Sequence, residues 1–392
     1  MAEIIRLPIT NTVTRLNYTL PVSVGSKPQL VNLMLDTGSS MLVVDGRIYH
    51  PDQDTGVATT QLLQTAEFET GSVLAAVVRT SIGLTTSPGA PPTTLTGTDL
   101  TVTYVNPPGT FGRADGIVGL GYASLASGFR MPEDTWKNKY PSDQLTLGQP
   151  AAVDPFVEQL VAAQRITNKF AFSVQRSLMR QALDVPATDP LNQGILILGG
   201  GAECTDLYIG DFTSVAVVHE KYYNTNLMAL QVGDQSIPVP PAPPGSRAAS
   251  NSIVDSGSTN VTLDPVLFGR LIDLFRSVNS DLAQMLVTYA PSVSRGVDQN
   301  QIDLTRWPPL RFIMQGTDGG QVAVTVQPKD YWQFDTGQAG NASHVLAGDN
   351  SIPDGQAILG LPLFAHQFVV FDRTGTNGVI GFAARAENAL IS

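Results

Sequence analysis

The segment Leu33-Met34-Leu35-Asp36-Thr37-Gly38-Ser39-Ser40 returns 219 residues downstream as Ser252-Ile253-Val254-Asp255-Ser256-Gly257-Ser258-Thr259. In each copy an apolar lead-in delivers an aspartate, followed by a hydroxyl residue, a glycine and two more hydroxyl residues. The apolar run reads as a buried strand, and the hydroxyl–glycine run reads as a tight loop at its end. A carboxylate at such a place is costly to bury unless hydrogen-bond donors surround it. Ser and Thr supply donors, and Gly lets the backbone come close. One loop in each half of the chain implies an internal duplication, which can set two loops face to face and pair two carboxylates. The tripeptide alone would be a poor guide. Asp54-Thr55-Gly56 and Asp335-Thr336-Gly337 lack the full pattern and read as surface turns.

The rest of the chain narrows the classes of function. With 392 residues and 42% hydrophobic content, the protein can bury substantial cores, as two or three domains or one bilobed unit. Charged residues make up only 15%, while Gly (36), Pro (27) and Val-rich runs are abundant, which points to a mostly β protein. Against 34 acidic residues stand 23 basic ones, a net charge of −11, so nucleic acid and anionic membranes are poor partners. No apolar stretch is long enough to span a membrane and no signal-peptide layout opens the chain. A single cysteine, Cys204, excludes an intrachain disulfide. Asn17, Asn260 and Asn341 each open an acceptor sequon that matters only if the protein is secreted. His50, His219, His344 and His366 are scattered without metal-ligand spacing, and no nucleophile elbow or phosphate loop occurs. Neither a metal nor an organic cofactor is expected.

A second pair of segments matches the first. Ala114-Asp115-Gly116-Ile117-Val118-Gly119-Leu120-Gly121 follows the first loop, and Ile358-Leu359-Gly360-Leu361 follows the second. Four segments in this order resemble the pepsin-like aspartic proteases, and the lack of disulfides is similar to some fungal members. The resemblance covers nearly the whole sequence. It implies a bilobed, mostly β fold of two related barrel-like lobes, residues 1–210 and 211–392, with a cleft between them. Asp36 and Asp255 then become the catalytic dyad, sharing one proton because neighbouring like charges do not both ionise cheaply. Thr37 and Ser256 resemble the residues that lock the loops together beside Gly38 and Gly257. Ser39 and Ser258 resemble those that donate to the outer carboxylate oxygens.

The resemblance also implies a flap, a hairpin closing over the substrate, at Glu67 to Val73. Phe68 stands where the family has a tyrosine, and Val43 where it has that tyrosine's tryptophan partner. Glu69 replaces a small residue at the tip, next to Thr70. Phe68, Glu69, Thr70, Val43 and Ile117 are therefore expected at the flap and substrate side, with a flap less firmly pinned than usual. The expected activity is endopeptidase cleavage of an extended peptide or protein substrate by a monomer. The expected location is secreted or vacuolar as a mature form, or cytoplasmic if Met1 is the native start. Two other readings stay open on the same scaffold: a dehydratase or cyclase using the dyad, and a catalytically silent binding protein. Asp154-Pro155 and Asp264-Pro265 each read as the capped start of a packing helix.

Overall fold

The computed structural model describes residues 2–68, 71–87, 89–141, 143–243, 246, 248–289 and 296–387. The chain is mostly β, and its duplication is visible strand by strand. In the first half, Gln29–Asp36 carries the first aspartate at its last position and alternates buried and half-buried side chains before it. This strand lies parallel to Gly116–Gly119, with Leu33 opposite Gly116 and Asp36 opposite Gly119. Leu42–Val44 returns antiparallel along the same partner. In the second half, Ser252–Val254 lies parallel to Ala357–Leu359, and Val261–Leu263 returns antiparallel along it. Each returning strand is flanked on its far side by one more parallel strand, Thr93–Val105 or Leu346–Gly348.

The glycines of the second signature are needed because chains cross there at close range. A Cβ on Gly119 would stand 2.5 Å from the Met41 nitrogen, and one on Gly360 would stand 2.3 Å from the Ser258 and Asn260 carbonyl oxygens. Only glycine admits backbone that near.

In the first half the sheet closes into a six-stranded barrel. Gly71–Leu84 pairs with Thr93–Val105 along its length, and its end bends onto Thr19–Val24 through Val22–Leu84 and Val24–Ile82. The two halves are joined by strands from both. Ile5–Thr10, Gln193–Leu198 and Lys169–Ser173 continue into Gln367–Asp372, Val379–Arg385 and Tyr208–Ala216 as consecutive neighbours. Lys169–Ser173 and Gln367–Asp372 meet antiparallel at the centre, where the Phe170 and Phe371 rings stack 4.9 Å apart. Tyr208–Ala216 pairs with Val379–Arg385 at both its ends, with a register shift between Ile209 and Thr213.

Of the two expected helix starts, one holds. Asp264 accepts hydrogen bonds from the Val266 and Leu267 N–H groups and caps the helix Pro265–Val278. Asp154 caps nothing: that helix is Phe156–Ala162, with Pro155 at its N-cap and no side-chain cap.

The two supposed surface turns also differ from expectation. Asp54 is buried and accepts from Ser26 N, Ser26 Oγ, Tyr49 Oη, Thr80 Oγ1 and Gly56 N. Burial alone would push its carboxyl up, but these donors outweigh it and hold the carboxyl below the usual range. Asp335 pairs with Arg180 at 3.2 Å, and Thr336 beside it is buried. Both turns are structural, with Ser26, Thr80 and Arg180 reaching them from far along the chain.

Candidate active site

Each strand that carries an aspartate ends in a loop, and the two loops are bound to each other by four hydrogen bonds. Thr37 N donates to Ser256 Oγ at 3.1 Å, and Ser256 N donates to Thr37 Oγ1 at 2.8 Å. The same hydroxyls then donate outward, Thr37 Oγ1 to the Val254 carbonyl at 3.2 Å and Ser256 Oγ to the Leu35 carbonyl at 3.1 Å. Thr37 and Ser256 are fully enclosed, so each bond replaces one that water would otherwise make. The arrangement is a reciprocal lock with two-fold character. It brings together residues 219 apart in the chain.

The lock sets Asp36 and Asp255 against one another. Gly38 N donates to Asp36 Oδ1 at 2.7 Å, and Gly257 N donates to Asp255 Oδ1 at 2.8 Å. Each glycine also faces the opposite carboxylate. A Cβ on Gly257 would lie 2.4 Å from Asp36 Oδ1, and one on Gly38 would lie 2.9 Å from Asp255 Oδ1. Asp36 is buried, with 8% of its surface exposed, and Asp255 is half-buried. Burial raises both carboxyl groups above their ordinary range. Asp255 rises furthest, because the Asp36 charge adds to the effect of burial. At Asp36 the Ser39 hydroxyl and the Gly38 N–H oppose the rise. Two carboxyls in this position retain one proton between them to higher pH than either would alone.

The serines around the dyad do not act alike. Ser39 is buried beside Asp36, close enough to lower its pKa but without a well-aligned hydrogen bond to any partner. Ser258 does not donate to a carboxylate. Its hydroxyl turns to the Asn260 carbonyl at 3.1 Å, a local bond within its own loop. Asn17 donates its side-chain amide to the Gly257 carbonyl at 2.6 Å, so this sequon is engaged in holding the second loop.

Tyr222 was not marked by any local pattern in the sequence. It is half-buried, and its hydroxyl is pushed up first by burial and then by the charges of Asp255 and Asp36. Only the pairing of Asn224–Thr225 with Ser252–Val254 brings it beside the second loop. Its neighbour Tyr223 donates to the Leu120 carbonyl at 2.7 Å, tying this strand to the first half.

The hairpin expected as a flap is formed by Ala58–Phe68 and Gly71–Leu84, with Phe68 opposite Gly71. Glu69 and Thr70 lie outside the described residues, as does the placement of the Phe68 side chain. Val43 and Ile117 do not line a substrate surface. They are enclosed with Met41, Val73, Ala75, Phe111 and Ala114 in an apolar cluster under the hairpin. The hairpin is also better anchored than the missing Tyr–Trp pair suggests. Its outer strand pairs with Ser127–Arg130, from Leu62 opposite Arg130 to Thr65 opposite Ser127. Only the last residues before the tip extend past this added strand.

Among the described residues no group of three or more His, Cys, Asp or Glu side chains is placed to hold a metal ion. No described helix is long and apolar enough to cross a membrane.

Comparison with known proteins agrees with this geometry. The chain is 23% identical over 393 residues to a beta-secretase of Strongylocentrotus purpuratus, covering 94% of this chain. It spans 66% of that relative's length. A family model of the eukaryotic aspartyl proteases matches residues 95–385, a stretch that includes Asp255, while the lock and the strand-by-strand duplication tie the loop of Asp36 to it. With that match running through most of its length, the chain belongs to the eukaryotic aspartyl protease family.

Proposed function

We propose that this protein is an aspartic endopeptidase in which Asp36 and Asp255 divide the roles of base and acid. The ionised carboxylate of the pair takes a proton from a bound water as that water attacks the scissile carbonyl. The protonated partner donates to the carbonyl oxygen, and the tetrahedral intermediate collapses when the leaving nitrogen is protonated. No covalent intermediate is formed. The observation that carries the reading is the reciprocal Thr37–Ser256 lock, which sets a buried and a half-buried carboxyl against one another, where one proton is favoured between them.

The substrate is an extended peptide lying between lobes 1–210 and 211–392, under the hairpin that ends at Phe68. The register shift between Ile209 and Thr213 supports a junction between the lobes at residues 210–211. An enzyme that must retain a dyad proton works best at acid pH, which fits a secreted or vacuolar compartment. Cleavage of a peptide library from acid to neutral pH tests the proposal, run in parallel with Asp36→Asn and Asp255→Asn. Acid-favoured cleavage lost in both variants is the expected result. Absence of cleavage at every pH overturns it, in favour of a silent fold or a non-proteolytic use of the dyad.

A further inference from the structure

Away from the dyad, the stretch 175–191 meets the second half around a cavity of about 470 Å³, within the range that suits small-molecule ligands. Arg176 lines it and is only 8% exposed. Its Nε donates to the Leu178 carbonyl at 2.6 Å and its Nη2 to the Phe334 carbonyl at 2.8 Å. Among the described residues no carboxylate contacts it, Asp189 and Asp335 acting on it only from a distance, and burial lowers its pKa to about 10. A buried cation resting on neutral carbonyls is an incomplete pair.

The other charged groups show where the imbalance lies. Arg180 has its own counter-ions, Asp335 at 3.2 Å and Asp189 at 3.3 Å. Asp330 Oδ1 lies 2.8 Å from His366 Nδ1 at angles that do not make a hydrogen bond. Lys329 lines the same cavity, is exposed, and has no acidic partner among the described residues. Two cations without carboxylates therefore face one space. Leu191, Leu304 and the Trp332 ring supply apolar wall.

We propose that this cavity binds a small organic carboxylate with an apolar side chain, the chemistry of a peptide's C-terminal residue. The carboxylate sits on Arg176 and Lys329, which offer a planar fork and a point charge. The apolar side chain meets Leu191 and Leu304. A dianion such as phosphate is disfavoured because Asp335 lines the cavity and Asp330 lies beside it. Inorganic phosphate also leaves the apolar wall unused.

The test uses the full chain carrying Asp36→Asn, so that hydrolysis does not enter, with N-acetyl-leucine as probe. Melting temperature and tryptophan fluorescence are followed against N-acetyl-leucinamide and inorganic phosphate. N-acetyl-leucine should give a saturable response in both readouts, with the amide at least about tenfold weaker for want of the charge. Arg176→Gln and Lys329→Gln should each weaken binding by about tenfold, and Lys329→Arg should retain most of it. Lys329 is exposed, so its variants decide the matter even if Arg176→Gln does not fold. No saturable response overturns the proposal. So does an equal response to the amide, an equal response to phosphate (an adventitious ion only), or indifference to Lys329→Gln.

Discussion

Removing one hydroxyl of the lock tests whether it holds the dyad. Ser256→Ala deletes two of the four bonds and leaves the Thr37 N–H and the Leu35 carbonyl unpaired in an enclosed place. An orphaned buried group costs about 1–3 kcal/mol, so with two of them the variant should lose about 2–6 kcal/mol of stability. Thr37→Val deletes the other two bonds, orphaning the Ser256 N–H and the Val254 carbonyl, with a similar loss. The two are not independent, because each hydroxyl sits on the other's backbone N–H. Once one is gone the loops part and the second has less left to hold. The double variant should therefore fall short of the sum by about 1 kcal/mol or more. Urea denaturation followed by tryptophan fluorescence reads both halves, through Trp136 in the first and Trp307 and Trp332 in the second. Peptide turnover should fall by about 100-fold in each single variant, since displacements near 1 Å at reacting groups cost that much. Ser256→Ala within about 0.5 kcal/mol of the parent, the range of a neutral surface change, would refute the reasoning.

Gly257→Ala places a methyl 2.4 Å from Asp36 Oδ1, and Gly38→Ala places one 2.9 Å from Asp255 Oδ1. Both should lose activity, the first by more than the second, measured as kcat on a cleaved peptide. Because the Asp255 carboxyl is raised in the fold, its contribution to stability is whole below about pH 4 and drains away as pH rises through the folded value. Asp255→Asn should therefore be more stable than the parent at neutral pH, with a flatter pH–stability curve by calorimetry. Phe129→Pro interrupts the strand that pairs with the hairpin opposite Leu63. Amide exchange over residues 62–68 should quicken at least about tenfold, with KM raised more than kcat is lowered. Unchanged exchange would mean the added strand does not anchor the hairpin.

The meeting of the two aspartate loops was legible because its signal is local and repeated. An apolar strand, an aspartate and a hydroxyl–glycine loop recur with a matching glycine segment behind each, and the pairings of Gly119 and Gly360 explain why those glycines are there. What escaped the sequence depends on distant partners. Asp54 looked like a turn residue because its donors, Ser26, Tyr49 and Thr80, are supplied by tertiary contact. Val43 looked like a flap residue, but the register that sets it opposite Ile117 turns it into the core. The anchoring strand Ser127–Arg130 is short and lacks an alternating apolar pattern, so only its pairing reveals it. Ser258 fits the family pattern in type and place, yet a carbonyl two residues on captures its hydroxyl. Residue type sets which bonds are available, and the tertiary surroundings select among them.

Whether Asp36 and Asp255 work as one acid–base unit sharing a proton is read from the pH dependence of kcat/KM on a single cleaved peptide, for the parent and for Asp255→Asn. A shared proton gives the parent a bell in the acid range, falling as that proton is lost, and leaves the variant without measurable turnover. Cleavage that persists in Asp255→Asn, or a parent profile that keeps rising through neutral pH, would contradict it.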